Sequence, residues 1–249
     1  MSTTEEKEKM GIMYSVTITM DSSTRNFLKE QGYSLYAFKG VDAGAGAQST
    51  VWITVTGSTL YDNASITISW EENFYTGQTS TQVSGGAVVS GINPYKGGGQ
   101  QAAPLALGKV YIYEGVDWNS NPDNGEADAF TVVNTPPQVN SFYMTQKSTS
   151  SSVPADQQFI VVKQILGSSG LATFKPIQVV SFILSSEAEQ VGTIITQAFS
   201  PGAIVSLPSG QFTATISYNE NTGWSGDSSV FSQLKSMDPV YTTMLNASK

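Results

Sequence analysis

The sequence predicts an all-β protein, an antiparallel β-sandwich with one or two short peripheral helices. Three observations predict it. Apolar and hydroxyl residues alternate with a period of two in several short runs, β-branched residues dominate those runs, and Gly-, Pro- and Asn-containing segments separate them. The chain of 249 residues holds 33 serines and 25 threonines but no histidine and no cysteine.

Taken in order, Ser15-Val-Thr-Ile-Thr19 sets Val16 and Ile18 on one face and hydroxyls on the other. A helix is expected over Thr24 to Gln31, capped by Asp21-Ser22 and stopped by Gly32. Strands are expected over Leu35 to Val41, Thr50 to Thr56, Ser65 to Trp70, Ala87 to Ile92, Lys109 to Glu114, Ala129 to Val133 and Ser141 to Gln146. The second half is more apolar. Phe159 to Val162, Val179 to Leu184 and Ile194-Ile195 read as strands buried on both faces, in the middle of a sandwich or under a covering element. Ala203 to Leu207 is a short strand bracketed by Pro201 and Pro208, and Phe212 to Tyr218 alternates again. A second helix is expected over Val230 to Met237. The acidic N-terminal decapeptide is left open between a short helix and a mobile segment.

The chain reads as one sandwich domain over residues 1–249, with a Ser-rich surface loop at 147–155. The alternative places two β subdomains at 1–146 and 156–249. No internal repeat supports that division.

Composition narrows function by exclusion. Only 32 residues are charged, and the net charge is −8, with the 12 basic residues scattered. Phosphate recognition needs a concentrated basic stripe, so no nucleic-acid partner is expected, and an anionic membrane surface is disfavoured for the same reason. Neutral glycans and zwitterionic lipids stay open. Without imidazole or thiol the chain lacks the commonest near-neutral acid–base group, the thiolate nucleophile and the soft metal ligands. Ser232-Gln-Leu-Lys235 matches a Ser-x-x-Lys pattern by chance among so many serines, and Glu71 and Glu72 would point to opposite faces of a strand. No catalytic residue is assigned, and the chain is not expected to be an enzyme.

Two features carry ligand chemistry. Asp117, Asn119, Asn121, Asp123 and Asp128 fall at relative positions 1, 3, 5, 7 and 12, the spacing with which a loop wraps calcium. Pro122 stands where such a loop needs glycine, and Asp128 replaces the bidentate glutamate, so calcium is the one cofactor the sequence admits. Trp118 and Trp224 lie among Asn, Gly, Ser and Asp in expected loops, where an exposed indole stacks on a sugar ring or enters a lipid interface. Residues 77–92, with hydroxyls around Gly85-Gly86, resemble in composition the Ser/Thr-rich hairpins of β-pore-forming toxins, but their apolar row is thin.

The sequence therefore predicts a non-enzymatic structural or self-associating protein, a homo-oligomer or larger assembly. Its weakly charged polar surface would contact copies of itself or a neutral partner. Alternatives are a pore-forming toxin that binds glycan or lipid, and a lectin-like module. The N-terminal segment has neither the basic nor the apolar region of a secretory signal, so synthesis in the cytoplasm is expected, with release by a non-classical route open.

Overall fold

A computed structural model of the chain describes residues 12–80, 84–90, 93–121, 125–148 and 158–249. It is all-β: two eight-stranded sheets packed together, with three short helices among the described residues. The first sheet comprises β1 (Met13–Thr19), β3 (Gln48–Ser49), β5 (Ser65–Thr79), β6 (Asn93–Pro94), β10 (Asn140–Ser148), β11 (Gln158–Leu166), β14 (Thr213–Asn219) and β15 (Gly223–Gly226). Its order is β15-β14-β1-β5-β10-β11-β3, with β6 also on β5. The second comprises β2 (Ser34–Asp42), β4 (Ile53–Val55), β7 (Val110–Tyr113), β8 (Trp118–Asn121), β9 (Phe130–Asn134), β12 (Leu171–Ser185), β13 (Gly202–Ser206) and β16 (Phe231–Leu234). It runs β16-β13-β12-β9-β7-β8, with β2 on β12 and β4 on β2.

Pairing is mixed, not purely antiparallel. β1 lies parallel to β14 and β7 parallel to β9, because both connections bring the chain back past its own start before it pairs.

Period-two alternation decides what the sheets bury. Val16, Ile18, Ile68 and Trp70 of the first sheet meet Leu35, Ala37, Phe130, Phe174 and Phe182 of the second, all nearly inaccessible. Each of the larger side chains among them contributes about 1.5–3 kcal/mol by leaving water. The second sheet is also covered on its outer face. Phe38, Val179, Ile183 and Ile204 pack there against Val240 and Met244 of helix α3 (Val240–Ala247). This explains the continuous apolar run at 179–184, in which odd and even residues serve different interiors. A smaller cluster of Val89, Tyr143, Ile160 and Ile194 covers part of the first sheet's outer face.

Helix α1 (Ser22–Glu30) ends as its sequence dictates. Asp21 Oδ1 accepts from Thr24 N at 2.8 Å, and Gly32 takes φ +65° while Tyr33 N donates back to Leu28 O. The Glu220 carboxylate accepts from the Ser23 and Thr24 hydroxyls, docking the β14–β15 turn on this helix.

Three expected elements differ, besides Ile194-Ile195, where Ile194 makes an isolated bridge to Thr50 in place of a strand. Within 230–237, Phe231–Leu234 form β16 instead of a helix: the Asp227 turn binds the amides of Ser229, Val230 and Phe231, and aligns the chain with the free edge of β13. The helix begins only after Pro239, where a missing N–H costs nothing. Thr50 to Thr56 is not one strand, because this stretch crosses between sheets. Ser49 pairs with Val162 of the first and Ile53 with Ala37 of the second, before helix α2 (Gly57–Tyr61).

The third difference is at 77–92. β5 ends at Thr79, and residues 84–90 contribute an isolated bridge, Val88 to Thr193, in place of a strand. Residues 81–83 and 91–92 lie outside the described residues, as do 149–157 of the Ser-rich stretch and the N-terminal decapeptide. Among the described residues no helix is long and apolar enough to cross a membrane.

Candidate functional site

The residues singled out by sequence separate into two places. Trp118 is not in a loop: it begins β8, half-buried, with its ring 5.1 Å from Tyr113, 5.8 Å from Phe142 and 6.2 Å from Tyr95. Trp224 lies on β15 at 4% exposure, tilted against Tyr218 at 5.0 Å. The two tryptophans stand on terminal strands of different sheets and do not form one site. The indole N–H of each is buried without a hydrogen-bond partner.

The calcium-type spacing also divides. Residues 118–121 are extended in β8 instead of wrapping a centre, since the segment pairs with β7 in regular antiparallel register. Asp117 and Asn119 face a groove, while Asp128 is drawn away by Lys175 at 2.6 Å, which holds its carboxyl below the usual range. Asp123 lies outside the described residues, and of Asn121 only the backbone is described. No group of three or more acidic residues suited to a metal occurs among the described residues.

What the structure does build from these residues is a groove of about 580 Å³ beside β8. Asn93, Lys96, Glu114, Asp117, Trp118 and Asn119 line it together with the Gly97-Gly98-Gly99 turn. Asn119 Nδ2 donates to Glu114 Oε2 at 2.8 Å, and Asn93 Nδ2 to Val116 O at 2.9 Å, which fixes the two walls. Gly97 and Gly98 both adopt positive φ, so the opposite wall turns sharply without side chains entering the groove.

The edge itself is exposed in a specific way. β8 ends its sheet with β7 as its single strand partner among the described residues. Glu114 N donates to Asp117 O at 3.0 Å, making that a hydrogen-bonded pair. Antiparallel alternation then directs the backbone of Asn119 toward β7 and that of Trp118 and Ser120 outward. The other flanks are bridged by the chain: β3 runs into β4 across the sheets, and β15 turns through Asp227 into β16, where Gly226 meets Phe231.

A second polar centre escaped the sequence reading. Lys39 is 1% exposed on the inward face of β2; its ammonium donates to Ile177 O and lies 5.5 Å from the centre of the Trp70 ring. Burial pushes it down to about 7, partly offset by the Glu72 carboxylate. Glu72 Oε1 accepts from Tyr14 at 3.2 Å and from Gln178 Nε2 at 2.8 Å, while Gln178 Oε1 accepts from the Trp70 indole at 3.1 Å. Each of these groups has a partner, and the assembly joins β1, β2, β5 and β12. The available signal was a lone lysine inside an apolar strand, Leu35-Tyr-Ala-Phe-Lys-Gly-Val41.

Comparison with known proteins finds no matching family, no similar curated sequence and no matching solved structure.

Proposed function

We propose that this is a non-enzymatic, self-associating β protein that makes its contacts through the β8 edge and the adjoining groove. The observation that carries this reading is the outward backbone of Trp118 and Ser120 on a regular, bulge-free terminal strand with no charged residue in it. Natural sheets guard such edges with lysine, proline or bulges, and an unguarded edge accepts another strand. A twofold pairing of β8 with β8 of a second copy would satisfy both backbones and close the contact. The low overall charge supports it, since copies of this chain repel each other weakly for their size.

Sedimentation velocity from micromolar to millimolar protein tests the proposal. Ser120→Pro removes one outward N–H and leaves the ladder to β7 intact, which an edge strand tolerates. The wild type is expected to gain mass with concentration and the variant to stay monomeric with an unchanged circular-dichroism spectrum. A wild type that remains monomeric throughout, or a variant that associates equally well, would overturn the reading.

One observation favours a second reading, a neutral glycan in the same groove. Carboxylate and amide groups of Asp117, Asn119 and Asn93 stand beside the half-buried Trp118, the combination that recognises sugar hydroxyls. Binding on a glycan array that is lost in Asn119→Ala would support it.

A further inference from the structure

The outer face of the first sheet holds a cavity that neither the β8 edge nor the Lys39 centre uses. It measures about 380 Å³, is open on one side, and is walled by Tyr75, Val89, Pro94, Tyr143, Thr145 and Ile160. Tyr143 and Thr145 stand two residues apart on β10, hence on the same face of the strand, and each is 5% exposed. Thr145 pairs across with Tyr75 and Ile160, and Tyr143 with Gly77, so one row of three strands forms the floor.

One polar atom on that floor is buried and unsatisfied. Thr145 Oγ1 is buried with no hydrogen-bond partner. The Tyr143 side chain lines the cavity, and burial pushes its hydroxyl up to about 12, so it stays a donor. A buried hydroxyl left unpaired costs about 1–3 kcal/mol. The phenol's place is also prepared. A side chain at Gly77 would overlap the Tyr143 hydroxyl and come within 2.8 Å of Asn93 O, so the absence of a Cβ there opens the position the ring occupies.

We infer that this cavity is a binding site for a small, neutral, mainly apolar molecule bearing a carbonyl oxygen, of the ketone, ester or amide class. Val89, Pro94 and Ile160 receive the apolar body, while the Tyr143 hydroxyl donates to the oxygen. Neutrality follows from the lining, which contains no charged side chain among the described residues. The size lies within the range of small-molecule sites. That donor also sets selectivity, because a site built around a hydrogen bond rejects the analogue that lacks the acceptor.

Acetophenone and ethylbenzene, nearly equal in shape and differing in the carbonyl, are the probes, read by methyl chemical shifts of Val89 and Ile160 in the full chain. Acetophenone is expected to shift both saturably and to bind about tenfold more tightly than ethylbenzene. In the double variant Tyr143→Phe/Thr145→Val the two probes are expected to bind equally. Val89→Phe, on a covering segment outside the strands, fills the cavity and abolishes binding of both, which keeps the test decisive if the double variant fails to fold. No saturable shift with either probe, or an unchanged preference in the double variant, would overturn the inference. So would tighter binding of decanoate, which would mean a charged head group is the true occupant.

Discussion

The Lys39 centre and the Tyr143 cavity are made of similar parts and resolve them oppositely. Each buries a tyrosine and a hydrogen-bonding neighbour against aromatic and aliphatic walls. Around Lys39, the ammonium, the Trp70 indole, the Gln178 amide, the Glu72 carboxylate and the Tyr14 hydroxyl all find partners within the chain. In the Tyr143 cavity, the buried Thr145 hydroxyl finds none. The first arrangement is complete and ties the two sheets together. The second is incomplete without something else, and that difference separates a structural centre from a receptive one.

The largest expected effect lies at the complete centre. Lys39→Met is expected to raise the unfolding free energy near neutral pH by about 1–4 kcal/mol, as measured by urea denaturation, because a buried charge gives way to apolar packing. The sign depends on pH. Lys39 titrates at about 7 in the folded chain against a usual 10.5, so between those values the unfolded chain holds a proton the folded one lacks. Wild-type stability therefore rises with pH across that window, and the advantage of Lys39→Met shrinks toward its upper end. Lys163, pushed down to about 8 by burial, adds a slope of the same sign. Tyr14, Tyr143 and Tyr241, each pushed up to about 12, reverse it above pH 10, where the unfolded phenols ionise first. A stability maximum close to pH 10 is expected; a flat profile from pH 7 to 10 would mean that Lys39 finds its charge fully compensated.

The smaller effect lies at the incomplete cavity. Thr145→Val is expected to be stabilising by about 1 kcal/mol, because it removes an unpaired buried hydroxyl and keeps the shape of the side chain. A loss of similar size in the same urea titration would show that the hydroxyl does have a partner, and would erase the contrast with Lys39.

Much of the fold was legible because alternation and end signals are local. Asp21, Gly32 and the runs at 15–19, 65–70 and 203–207 carry their geometry in neighbouring residues. Residues 230–237 were misread because the pairing that decides them is with β13, about thirty residues away, and local propensity yields to it. The crossing at 50–56 was invisible for the same reason: each of its halves answers to a different sheet. Of the site residues, Asp117, Trp118 and Asn119 do share a groove, although the calcium spacing that drew attention to them assumed a loop where the chain is extended. Tyr143, Thr145 and Gly77 could not be found from sequence. A hydroxyl on a strand reads as solvent-facing unless it is known that another segment covers that face.

The self-association reading is tested most directly by residue-resolved amide hydrogen exchange at dilute and concentrated protein. The amides of Trp118 and Ser120 are expected to gain protection with concentration, while that of Asn119, bonded to β7, is protected at both. Equally fast exchange of Trp118 and Ser120 at every concentration would contradict strand addition at β8.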